Sequence, residues 1–220
     1  MAELSVASPA IHQLRVVLCG VSPLVWRRLL ITSDTSLADL HDALQIAFDW
    51  SGEHLHRFRI HGKDYGIPQW GGMGCDEDAR RIPLSHFRLR CGERFRYEYD
   101  FTANWKLDLR LEKVLPADPR RAIPWCVAGR RAAPPEECCG ARDYLERLDR
   151  HRYPVEDLTV IAAAVQRLLD SDDDRQVIGD GDELRNAVER VEAYQAFQPE
   201  RFARRHVNRQ LRAIHREVRP

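Results

Sequence analysis

The residues best equipped for chemistry lie in WSGEHLHRFRIH, residues 50–61. If Leu55–Ile60 is a strand, alternation puts His54, His56, Phe58 and Ile60 on one face and Leu55, Arg57, Arg59 and His61 on the other. Imidazoles two residues apart run parallel and suit a divalent metal, which still needs a third and usually a fourth ligand. Glu53, Asp64, Asp100 and the thiols are the nearest by type, none at a diagnostic spacing, so the candidate metal set is His54, His56 and Asp100. The alternative is a packed face whose histidines hydrogen-bond to backbone or carboxylate. Cys126, Cys138 and Cys139 fall close together, but adjacent cysteines do not readily share one tetrahedral ion, so they read as structural thiols. The run Gly71, Gly72, Met73, Gly74 lacks the Lys-Ser/Thr ending of a phosphate loop. No catalytic constellation is complete.

A second candidate is charge rather than chemistry. Around the helical pattern Pro199–Arg216 the residues Val207, Leu211, Ile214 and, just beyond it, Val218 form an apolar stripe, and Arg201, Arg204, Arg205, Arg209, Arg212 and Arg216 make the remainder basic. Such a helix either docks on the core with a solvated face or contacts nucleic acid or a protein partner.

The elements that must position these residues follow from periodicity. His12–Leu18 and Val25–Ile31 flank Gly20, Ser22 and Pro23 and read as a hairpin. Leu37–Phe48 has Leu37, Leu40, Leu44, Ala47 and Phe48 at helical spacing, with His41, Asp42, Gln45 and Asp49 opposite, and Ser36 with Asp39 resembles a capping box. A strand at Leu55–Ile60 and a long loop over Gly62–Ser85 come next. Arg94–Phe101 and Trp105–Leu115 alternate cleanly and are joined by three residues, as in a hairpin. The aromatic face Phe95, Tyr97, Tyr99, Phe101 could stack bases, but that pattern is what a half-buried strand requires, and it reads as core.

The expected fold class is α+β, a mostly antiparallel sheet with a β-grasp-like hairpin, helix and strand start, followed by a C-terminal helical region. Residues 1–11 are expected to be a flexible N-terminus and residues 12–220 one domain. Within it, 12–115 form the α+β core, 116–140 an irregular connection and 141–220 a helical extension. Helical patterns run over Ala141–Arg150, Val155–Leu169, Leu184–Phe197 and Pro199–Arg216. The acidic DSDDDRQVIGDGDE lacks the closing Glu of a calcium loop and reads as a solvated link.

The totals narrow the class further. With 34 Lys+Arg against 34 Asp+Glu, the chain is not generally basic, so nucleic-acid binding would need a local patch. No run approaches a membrane span, the start has no basic or long apolar leader, and the six cysteines at irregular spacing read as reduced, so a cytoplasmic protein without membrane partners is expected.

The segments VSPLVWRRLLI, LADLHDALQIAFDW, HLHRFRI, FRYEYDF, GRRAAPPEECCG and FQPERFARRHVNRQLR together resemble the plasmid pRiA4b ORF-3-like family, over roughly His12 to Arg212. Its members are also labelled TnpR-like passenger proteins of an insertion element. The resemblance implies genomic company with transposable elements and no established molecular activity. Recombinase chemistry fails on residue order: Ser22 sits in a Pro-containing turn, and Tyr194 lies upstream of the His206 and Arg209 it would have to follow. Where the family reads D-F-G-D-x-W-x-H, this chain has Asp100, Phe101, Thr102, Ala103, Asn104, Trp105, Lys106, Leu107, without the second acid and the histidine. Ala132 to Glu137 likewise lack the cysteine of A-C-P-P-E-D. The expectation is therefore a non-enzymatic, mobile-element-associated module that binds a macromolecule, nucleic acid such as DNA or a protein partner, with the basic helix as the contact. The alternatives are a small metal-dependent enzyme using His54 and His56, or a scaffold. No cofactor is expected unless a divalent metal binds.

Overall fold

The computed structural model describes residues 9–66, 77–118, 120–170 and 181–217. Most of the expected N-terminal segment, the Gly71–Gly74 run, Cys75 and most of the acidic link lie outside the described residues. The chain divides into two units, one of Met1–Arg142 with Glu200–Pro220 and one of Asp143–Pro199.

The first unit is built on eight strands: β1 (Ile11–Leu18), β2 (Trp26–Thr32), β3 (His56–Ile60), β4 (Lys63–Gly66), β5 (Glu77–Asp78), β6 (Arg94–Tyr99), β7 (Trp105–Leu115) and β8 (Trp125–Arg130). Their order is β5-β4-β3-β6-β7-β1-β2-β8, antiparallel at every pairing except β4 with β5. Hairpin, helix and strand follow one another as expected, but β6 and β7 separate β3 from the first hairpin. Pro116–Gly140, read from sequence as irregular, contributes β8. Its apolar run is too short to show a period, and it is specified by pairing with β2 across a bulge at Arg28/Leu29.

Helix α1 (Leu37–Phe48) begins at the expected box: Asp39 N–H donates to Ser36 Oγ at 3.0 Å, and Ser36 N–H returns to the Asp39 carboxylate. Its Leu37, Leu40, Ala43, Leu44, Ala47 and Phe48 are buried, as are the sheet's alternating Leu14, Val16, Leu18, Leu107, Leu109 and Leu111. Each large aliphatic so buried contributes about 2 kcal/mol. The aromatic row Phe95, Tyr97 and Tyr99 is core, and Phe101 falls beyond the strand end.

Arg27 ties several segments together. Its Nε donates to Ala47 O at 2.7 Å near the end of α1, and its Nη1 to Trp26 O and Arg130 O. The guanidinium lies 3.9 Å from the Phe202 ring centroid and 5.0 Å from that of Phe48. Gly129 leaves room for Phe202, since a Cβ there would stand 2.4 Å from the ring.

Helix α5 (Arg204–Glu217) groups with this unit rather than with the other helices. Asn208 accepts from Cys126 N–H at 2.7 Å and donates to Cys126 O at 2.9 Å. A side-chain amide thereby occupies polar groups that an edge strand would expose.

The second unit holds α2 (Ala141–Arg152, begun in the first unit), α3 (Val155–Asp170) and α4 (Gly181–Ala196). Arg190 donates twice to Asp157 across the α3–α4 pair, and the Tyr144 and His151 rings meet Phe197 edge-on. Among the described residues no helix is long and apolar enough to cross a membrane.

Candidate functional site

The histidine stretch is rearranged relative to expectation. His54 precedes β3 in a bend and is exposed, its ring 5.7 Å from Tyr99 and edge-on. His56, on β3, turns toward α1 and stacks on His41, with centroids 3.7 Å apart and planes 11° apart. Asp100 sits in the β6–β7 turn at φ 50°, its carboxylate accepting from Thr102 N–H. Among the described residues no three of His, Cys, Asp or Glu stand where they could share a metal. The structure thus does not gather His54, His56 and Asp100 into a cage.

His41 and Gln45 were expected on the solvent face of α1; both are buried. One turn apart, they meet the Tyr97 hydroxyl on β6. Gln45 Nε2 donates to it at 2.6 Å, and His41 Nδ1 lies 2.7 Å away. The hydroxyl, which accepts from Gln45, can also donate to Nδ1 when the His41 proton sits on Nε2. Burial, and then the neighbouring His56, push His41 down to about 3, and burial pushes His56 down to about 4. Two uncharged imidazoles can stack; two imidazolium ions would repel. Among the described residues His56 Nε2 and Gln45 Oε1 are buried without a hydrogen-bond partner.

Beside this pair the Ala132–Glu137 segment straps the corner between α1 and β3. Trp50 Nε1 donates to Pro134 O at 3.1 Å. The Glu136 carboxylate accepts from Ser51 N–H, Ser51 Oγ and the Tyr99 hydroxyl, the last at 2.6 Å. A carboxylate so occupied holds a loop in place and is a poor general base. Cys126 and Cys138 are buried and Cys139 is exposed. Burial raises the Cys126 thiol, the opposite of what a nucleophile needs.

The basic helix is seated as well as exposed. Val207 and Leu211 are buried, while Arg201, Arg204, Arg205, Arg209 and Arg212 face solvent; the side chain of Arg216 lies outside the described residues. Arg204 donates to Val127 O at 2.7 Å, and the Arg212 guanidinium lies 4.7 Å from the Trp125 ring centroid. Arg205 and Arg209 form no hydrogen bond or ion pair among the described residues, and they line a groove of about 460 Å³ with Trp125 and Asn208.

Sequence reasoning missed His41, Gln45, Arg27 and Asn208. The i, i+4 spacing of His41 and Gln45 was the available signal for the first two, but it reads equally as a polar flank. No local pattern marks Arg27 or Asn208, whose partners are backbone atoms distant in the chain.

A mostly antiparallel sheet with a helix on one face and an arginine-rich helix along an edge defines an α+β protein. The chain belongs to the plasmid pRiA4b ORF-3-like protein family, whose model matches residues 10–173. It is 32% identical over 140 residues to the uncharacterized protein y4hQ of Sinorhizobium fredii, covering 62% of this chain and 71% of that protein. The crystal structure of a protein of unknown function, MM3350 from Methanosarcina mazei Go1, is similar with a TM-score of 0.67 and 26% identity, over 90% of this chain and 97% of that one.

Proposed function

We propose that this protein is a non-enzymatic nucleic-acid-binding module that uses the solvent face of α5. The observation that carries this reading is charge segregation within a neutral chain. Asp143–Pro199 holds 14 acidic and 7 basic residues, net −7, so Met1–Arg142 with Glu200–Pro220 holds the remaining 20 and 27, net +7. A surplus of that size on one unit attracts a polyanion. Arg205 and Arg209 of α5, which have no hydrogen-bond or ion-pair partner among the described residues, supply cationic groups to meet phosphates. The company with transposable elements implied by the family resemblance points the same way.

The test is binding of the full chain to labelled DNA and RNA at low salt, repeated as salt rises, with Arg205→Gln/Arg209→Gln alongside. Loss of two phosphate contacts should lower the slope of log affinity against log salt by about 1.8 on duplex DNA or about 1.4 on a single strand. An unchanged slope removes α5 as the contact, and no binding at low salt removes the nucleic-acid reading.

A further inference from the structure

The outer face of the sheet, opposite α1, carries charge that folding alone does not explain. The strand register sets Arg94 on β6 against Arg110 on β7, Arg110 against Arg15 on β1, and Arg15 against Arg28 on β2. Four arginines therefore stand in one row across four adjacent strands. In the neighbouring register, Arg59 on β3 faces Arg96 on β6. Like charges directly opposite on a sheet face are destabilising.

Carboxylates offset only part of this. Glu112 takes Arg28, Asp108 takes Arg94 and Asp64 takes Arg59. Arg15, Arg96 and Arg110 form no ion pair among the described residues, although the Arg15 charge reaches Glu112 and helps to lower its carboxyl, and within the same residues Arg15 Nε is buried without a hydrogen-bond partner. Trp26 lies on the same face, half-buried, with the guanidinium carbons of Arg15 and Arg28 at 5.6 and 5.4 Å from its ring centroid. A row of arginines only partly balanced by carboxylates, with an indole on the same face, matches the requirements of a polyanion that also carries flat rings.

Width selects among nucleic acids. Strands about 4.8 Å apart make the row about 14 Å long and the face from β3 to β2 about 19 Å across. The major groove, about 12 Å wide, takes a helix or a two-stranded ribbon. A five-strand face does not enter it, whereas an extended single strand can lie across the strands.

We infer that this face binds single-stranded nucleic acid, with the aligned arginines on phosphates and Trp26 against a base. The inference rests on the reading above for its class of ligand but on different residues for its site.

The experiment is fluorescence anisotropy on the full chain with a 15-nucleotide single strand, the matching duplex and polyglutamate of equal charge. It compares wild type, Arg15→Gln/Arg96→Gln/Arg110→Gln, the milder Arg96→Gln/Arg110→Gln, and the α5 variant. The triple variant should bind the single strand at least tenfold more weakly at 100 mM salt and lower the salt slope by about 2, and the double variant by about 1.4. Both should melt at or above the wild-type temperature, because each removes like-charge repulsion; should the triple variant fail to fold, the double variant decides. Wild-type binding in the sheet variants with loss in the α5 variant overturns this inference and leaves the α5 reading standing. The reverse pattern supports this inference and removes α5. Preference for the duplex, equal binding of polyglutamate, or no wild-type binding to the single strand overturns it.

Discussion

Replacing His56 by Phe should remove about half of the sensitivity to mild acid that the His41–His56 pair gives the protein. His41 and His56 titrate near 3 and 4 in the folded protein, against 6.5 when unfolded. The unfolded chain therefore binds protons that the folded one refuses. Stability is fully present above pH 6.5 and is lost as pH falls from there toward the folded values. At pH 5 each histidine costs about RT ln(1 + 10^1.5), about 2 kcal/mol, so the pair costs about 4 kcal/mol relative to pH 7. The ion-paired carboxylates Asp64 and Glu112, held below their ordinary range by Arg59 and Arg28, lose their contribution only at lower pH; His12, also lowered by burial, and Asp42, raised by burial, titrate in the wild type and the variant alike and cancel in the comparison. Phe at position 56 keeps an aromatic ring against His41 and removes the orphaned Nε2, so stability at pH 7 should hold while the drop to pH 5 becomes smaller than the wild-type drop by about 2 kcal/mol. Urea unfolding followed by tryptophan fluorescence is the assay, because all five tryptophans lie in the first unit. Equal wild-type stability at the two pH values, or the same drop in the variant, would refute the reasoning.

Other perturbations test the joints of the fold. Gly129→Ala should destabilise by about 1–3 kcal/mol, because the new methyl meets the Phe202 ring; chemical denaturation would show it, and a neutral result would mean that Phe202 is loosely held. Asn208→Ala should cost about 2 kcal/mol and promote concentration-dependent association, seen by light scattering, since it uncovers Cys126 N–H and C=O on an edge strand. Ser36→Ala should cost about 1 kcal/mol through loss of the α1 cap, measured in the same denaturation assay. Metal analysis of protein purified without chelators should find well below one equivalent, because His54, His56 and Asp100 are not gathered into a ligand set; a stoichiometric metal would reopen the enzyme reading.

The sequence by itself determined the local elements and their buried faces. Leu37–Phe48 and Trp105–Leu115 carry unbroken periods and standard start and turn signals, and both form over the expected residues. The family was legible too, because its motifs are stretches of neighbouring residues. Tertiary structure alone decided what those elements do to one another. It moved His41 and Gln45 from an expected solvent flank to the Tyr97 hydroxyl, separated His54 from His56 at the start of β3, and drew β8 out of a stretch without a period. It also aligned arginines from four strands into one row, which exists only in the register. The physical reason is common to all of these. Periodicity reports which side of an element is apolar, whereas a polar or charged residue takes its role from partners far away in the chain, and only the assembled sheet brings those within reach.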